Sequence, residues 1–81
     1  MKVLVLGGSG LFGRKTSAAL LKDPDIAIVV SMDLMPPPEW FIKTVDEYSD
    51  KFHYVRGDVS QIEDILSVMK LHSIDRVINW A

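Results

Sequence analysis

The stretch Val3-Leu4-Val5-Leu6-Gly7-Gly8-Ser9-Gly10-Leu11-Phe12-Gly13 sets an unbroken apolar run directly against a glycine cluster. Four of the chain's five glycines fall in its last seven positions. A run that is apolar at every position reads as a parallel strand covered on both faces. Leu11 to Lys22 follows with a helix-like pattern that Asp23-Pro24 ends, because the residue before a proline disfavours the α region. Strand, glycine turn and helix in that order form one unit. The spacing fits both Gly8-x-Gly10-x-x-Gly13 and Gly7-x-x-Gly10-x-x-Gly13.

The rest of the chain repeats the alternation. Ile26 to Asp33 reads as a second buried strand. Pro36-Pro37-Pro38 is a rigid connector, and Glu39 to Tyr48 reads as a helix with Trp40, Phe41, Thr44, Val45 and Tyr48 on one side. His53 to Arg56 is a third strand, closed by Gly57-Asp58. Ser60-Gln61-Ile62-Glu63 has the form of a capping box. Behind it Ile62, Ile65, Leu66 and Met69 fall on one face of a helix that ends near His72-Ser73. Arg76 to Ala81 is a fourth strand. Strands alternating with helices predict an α/β fold with a parallel sheet and right-handed crossovers; the expected order, that of a dinucleotide-binding sheet, is 3-2-1-4. The expected ligand position is the carboxyl end of the strands.

The glycines say what kind of ligand. One lets the chain reverse at positive φ. Another lets backbone amides approach a pyrophosphate, and a third lets the helix pack closely on the strand. The helix N-terminus adds unpaired N–H groups and a partial positive charge. Asp33, 20 positions after Gly13, lies where a carboxylate would accept from the adenosine ribose hydroxyls and repel a 2′-phosphate. It favours NAD over NADP, although Arg14 and Lys15 could help hold a phosphate. Asp33 read without this context is a polar strand end.

Composition narrows the alternatives. At 81 residues there is room for one small domain, and an apolar content of 48 % suffices for a core. A net charge of −2 gives no basic footprint for nucleic acid. No cysteine is present, which removes disulfides and thiolate chemistry. His53 and His72 are far apart in sequence and lack companions at ligand spacing, so no metal site is expected. No apolar run approaches the roughly 20 residues of a membrane span, and a cytoplasmic location is the default expectation.

Met1 to Gly13 resembles the opening of the NAD-dependent epimerase/dehydratase family, the extended short-chain dehydrogenases/reductases. Asp33, Gly57-Asp58-Val59 and Asp75 to Ala81 resemble later motifs of that family, in order. The resemblance implies a Rossmann-like domain over 1–81 that is partial relative to the full fold. It places Gly7, Gly10 and Gly13 in the phosphate turn, the amides of Leu11 and Phe12 on the pyrophosphate, and Asp33 on the ribose. Asp58 and Val59 would lie at the adenine, with Trp80 and Ala81 on the nicotinamide side. Trp80 stands where the family usually has leucine; it reads as a sheet-face core residue, or else as a ring along the cofactor path. Asn79 replaces a common histidine.

The family's chemistry uses a Tyr-x-x-x-Lys pair, and none is found here: Tyr48 precedes Lys51 by three positions, not four. The expected function is therefore the NAD-binding portion of an epimerase or dehydratase of nucleotide-sugar type, inactive by itself. The alternative is a non-enzymatic nucleotide-binding or partner-completed module. A fourth strand left at the edge invites self-association through residues 76–81.

Overall fold

The apolar runs become the strands and the glycine and proline breaks become the turns. The computed structural model describes residues 1–81. Its elements are β1 (Lys2–Leu6), α1 (Leu11–Leu21), β2 (Ile28–Asp33), α2 (Glu39–Thr44), β3 (Phe52–Arg56), α3 (Ile62–His72) and β4 (Arg76–Asn79), with a short 3₁₀ turn at Asp46–Tyr48. All strand pairs are parallel. The order is β3-β2-β1-β4, as the sequence predicts.

That order fixes the layers. From β1 to β3 the chain moves one way across the sheet, and from β3 to β4 it turns back. Right-handed crossovers then place α1 and α2 on one face and α3 on the other. The core divides accordingly. Val3, Val5 and Val29 pack with Leu21, Ile26, Phe41 and Val45. Leu4, Leu6, Val30 and Met32 pack with Val68 on the opposite face. Alternate residues of β1 serve both clusters, which is why that strand is apolar throughout.

Several expectations change in detail. The second helix breaks after Thr44 and resumes as the 3₁₀ turn, and Trp40 and Thr44 are exposed while Phe41 and Val45 are buried. The fourth strand ends at Asn79, so Trp80 and Ala81 form a tail beyond it. On α3 the buried line is Ile65, Val68 and Met69, whereas Ile62 and Leu66 are exposed. The capping box does not form. Ser60 spends its backbone N–H and its hydroxyl on Asp58 Oδ1, at 2.9 and 2.6 Å. The helix then starts two residues later, with Gln61 at the N-cap and no side-chain cap.

Lys51 also differs from any catalytic reading. Its Nζ donates to the carbonyls of Leu21 and Asp23, at 3.1 and 3.2 Å. It closes the last turn of α1, where a cation complements the helix dipole. His53 and His72, far apart in sequence, stack with ring centroids 5.8 Å apart. α3 runs antiparallel to the strands, so its C-terminus returns to where β3 begins. No group of three or more His, Cys, Asp or Glu side chains converges there or elsewhere.

Candidate functional site

All four strands end at one edge of the sheet, and the candidate site lies there. Hydrogen bonds carry the ladder past the strands into the turns. Gly7 N donates to Met32 O at 3.0 Å, Gly57 N to Asp33 O at 3.1 Å, and Trp80 N to Leu6 O at 2.9 Å. The resulting cleft is lined by Gly7, Gly10, Asp33, Leu34, Gly57, Val59, Trp80 and Ala81.

Two glycines are required by the backbone itself. Gly7 has φ +72°, a left-handed conformation that costs a residue with a side chain. Its missing Cβ also lets Trp80 and Ala81 press against the turn, since a Cβ there would lie 3.0 Å from Ala81 N. At Gly13, in the first turn of α1, a Cβ would run into Gly7 O and the Gly8 backbone. Gly10 is different. Its nearest neighbour would be Gly7 O at 3.6 Å, an ordinary contact, and its φ is −75°.

Gly10 is the N-cap of α1 and supplies no side-chain cap. The amides of Leu11, Phe12 and Gly13 have no acceptor; the first bonded amide is that of Arg14, to Gly10 O at 2.9 Å. The first turn of α1 carries no acidic residue. Its positive end thus faces the cleft without a counter-charge of its own.

Asp33 sits opposite, half-buried at the end of β2. Its Oδ2 accepts from Ser9 N at 3.1 Å and its Oδ1 from Met35 N at 3.3 Å. Each oxygen keeps capacity for a further donor. The Tyr54 hydroxyl donates to Asp33 O at 2.9 Å. Burial pushes this phenol above its ordinary value; the Asp33 charge adds to the shift and Arg56 opposes it. Arg14 donates from Nη1 to Ser9 O at 2.6 Å, with its guanidinium carbon 5.3 Å from the Trp40 ring centre.

Of the residues expected at the site, Gly7, Gly10, Asp33, Val59, Trp80 and Ala81 line the cleft. Gly13 is buried beneath it. Leu11 turns its side chain to the groove between α1 and α2. Asp58 is not among the residues that line the cleft; its Oδ1 accepts from Ser60 N and Oγ. These two hydrogen bonds lower the Asp58 carboxyl below its ordinary value. Trp80 is a correction: it is half-exposed, not in the core. Its ring stacks on Phe12 with centroids 5.3 Å apart and planes 28° from parallel. Its Nε1 donates to Thr16 Oγ1 at 2.9 Å.

Ser9, Thr16 and Leu34 were not singled out from sequence. Ser9 is at least signalled by its place among the glycines, but nothing local announces Thr16 as the partner of a residue 64 positions away. A roomier groove beside β4, lined by Met1, Val3, Leu20, Ile26, Val77 and Ile78 with Arg76, is mostly apolar. It lacks the free amides and the carboxylate of the cleft.

Comparison with known proteins agrees with this geometry. The model of the NAD dependent epimerase/dehydratase family matches residues 3–81. The chain belongs to this family. Among solved structures it is similar to a dTDP-glucose 4,6-dehydratase from Bacillus anthracis in complex with NAD, at 20% identity and TM-score 0.84, over 100% of this chain and 26% of that one. It is also similar to a UDP-glucuronic acid 4-epimerase from Bacillus cereus in complex with NAD, at 29% identity and TM-score 0.77, over 100% and 27%. An L-threonine dehydrogenase from Cupriavidus necator matches at 18% identity and TM-score 0.77, over 100% and 23%. The chain thus spans about a quarter of the length of these structures. Among curated proteins none matches. The family's cofactor is NAD, and no helix is long and apolar enough to cross a membrane.

Proposed function

We propose that the cleft binds NAD and that residues 1–81 are the cofactor-holding portion of an epimerase, dehydratase or reductase acting on a nucleotide sugar. The observation that carries the cofactor reading is the contrast between Gly13 and Gly10. The fold demands a glycine at 13, where a Cβ would collide with backbone, but not at 10, where a Cβ would fit. The free space at Gly10, beside three unbonded amides and an uncompensated helix end, suits a pyrophosphate.

In this reading the amides of Leu11 and Phe12 hold the pyrophosphate. Asp33 accepts from the ribose hydroxyls with the lone pairs that Ser9 and Met35 leave free, and its charge disfavours a 2′-phosphate. Val59 lies against the adenine, and Asp58, its neighbour in the chain, borders that end with Oδ1 held by Ser60. The tail Trp80-Ala81 borders the nicotinamide half. When bound, NAD supplies a hydride acceptor and donor. We assign no catalytic role within these residues: Tyr48 and Lys51 lack the family spacing, Lys51 is bound to α1, and the Tyr54 hydroxyl to Asp33 O. The nucleotide-sugar class is supported by the UDP-glucuronic acid 4-epimerase at 29% identity.

The direct test is a thermal melt with saturating NAD, and NADP in parallel. A ligand that binds only the folded state stabilises it by about 2.7 kcal/mol at 100 times its Kd. NAD is expected to raise Tm, and NADP to raise it less. A cooperative melt unmoved by either sinks the reading. β4 is hydrogen-bonded on one side only and leaves Val77 exposed. We infer self-association through residues 76–81; sedimentation of a monomer at high concentration would rule it out.

A further inference from the structure

Beyond the backbone contacts, one side-chain contact ties the end of β4 to the phosphate-facing helix. Trp80 stacks on Phe12, the residue whose amide is one of the three left free at the start of α1. Its indole N–H reaches one turn further, to Thr16 Oγ1 at 2.9 Å. On the backbone side, Trp80 N is bonded to Leu6 O, and the Trp80-Ala81 link presses on Gly7. The tail is thus gripped from two directions: by β1 through its backbone and by α1 through its ring. The Ala81 amide turns back to Asn79 Oδ1 at 2.9 Å.

We propose that the Phe12–Trp80–Thr16 contact is a pin that sets the opening of the nicotinamide half of the cleft, with Thr16 as a positioning residue that acts through Trp80. The proposal rests on the NAD reading above. The glycine turn that leads into α1 carries one wall of the cleft, through Gly7 and Gly10, and the tail after β4 carries another, through Trp80 and Ala81. The pin joins the two walls on the side remote from Asp33, so it fixes their separation where the second phosphate and the nicotinamide riboside would lie. The adenosine half is framed by Asp33, Leu34, Gly57 and Val59, which the pin does not touch. Thr16 lies outside the cleft and acts only through Trp80.

The geometry therefore separates the two halves of the dinucleotide, and the test uses that separation. AMP probes the adenosine half and NAD the whole. Thr16→Val keeps the shape and removes the acceptor; Trp80→Leu removes the ring. Titration calorimetry of AMP and NAD on the wild type and both variants is expected to show the Kd for NAD raised about five- to tenfold, the order of one aromatic contact and one hydrogen bond. The Kd for AMP should change less than about twofold. In a Trp40→Phe background the remaining indole is Trp80, and its emission should shift with NAD but not with AMP.

Equal losses for AMP and NAD in Thr16→Val would overturn the proposal, because the contact would then be merely structural. Unchanged NAD affinity in Thr16→Val would overturn it as well, since a loss confined to Trp80→Leu would report only the ring's own contact with the ligand. A wild-type chain that binds neither AMP nor NAD would instead bring down the NAD reading and the pin with it.

Discussion

Two turns on the ligand-facing edge lead from a strand into a long helix, residues 7–10 into α1 and residues 57–61 into α3. They complement their helix ends in opposite ways. At α3 the chain supplies its own anions. Glu63 and Asp64 stand in the first turn, Asp64 Oδ2 accepts from Asp58 N at 3.0 Å, and Asp58 Oδ1 accepts from Ser60. At α1 the first turn has no acid and no cap, and the glycine at the N-cap leaves space above the amides. A helix end that is not provided with an internal counter-charge is available to an external one. The turn into α3 is built to hold itself together, and the turn into α1 to hold something else.

The comparison breaks most visibly at Gly13. A Cβ there meets Gly7 O and the Gly8 backbone, neither of which can yield as a side-chain end would. Gly13→Ala is expected to lower stability by about 3 kcal/mol, enough to abolish a cooperative melt in a domain of this size. If the variant melted like the wild type, the close approach of α1 to the turn would not be a requirement of the fold.

At Gly10 the same substitution has a different signature. The new methyl has room in the folded chain, and loss of a glycine N-cap costs at most about 1 kcal/mol. Yet it occupies the proposed pyrophosphate space. Gly10→Ala should fold and melt cooperatively while its NAD affinity falls tenfold or more by calorimetry. Retained affinity would make Gly10 an ordinary cap and would erase the distinction between the two turns.

Leu11→Glu makes α1 resemble α3. Leu11 is exposed, and an anion in the first turn complements the helix by about 0.3–1 kcal/mol. Tm should hold or rise slightly, while NAD binding weakens by several-fold because the helix end now carries its own charge. A gain in stability with loss of binding is a combination that damage to the fold does not produce. If binding persisted unchanged, the free end of α1 would not be the phosphate site.

What sequence could and could not announce follows the same division. The unit β1–turn–α1 is local: the apolar run, the glycines and the helix lie within some 20 residues, so its reading needed no partner. Strand order followed from the glycine turn, which marks the dinucleotide-binding sheet whose order is 3-2-1-4. Reading failed where a side chain had a choice of partners. Ser60 suits a capping box by spacing, but Asp58 two residues earlier takes both its donors. Ile62 and Leu66 share a helical face with Ile65, but the sheet reaches only the Ile65–Val68–Met69 side. Trp80 and Thr16, like His53 and His72, meet only because crossovers fold distant segments together. Of the site, its glycines and Asp33 were legible because backbone and charge dictate them; the Trp80–Thr16 contact was not, because it depends on where two elements finally pack.

The smallest expected effect tests the self-sufficient turn. Ser60 holds Asp58 through two hydrogen bonds that favour the carboxylate, so the carboxyl titrates below its ordinary value. A carboxyl whose folded value is depressed contributes stability above its unfolded value and loses it as pH falls through the folded one. Ser60→Ala removes the hydroxyl donor and leaves the backbone N–H. The Asp58 carboxyl should then move part of the way up toward the ordinary range, read by following its carbon resonance through an acid titration. The stability difference between wild type and variant should be full near neutral pH and shrink below the ordinary carboxylate range. NAD affinity should change little, since Ser60 does not line the cleft. A large loss of NAD affinity would show instead that this turn, too, serves the ligand, and that its carboxylates hold Val59 and Asp58 in place for the adenine.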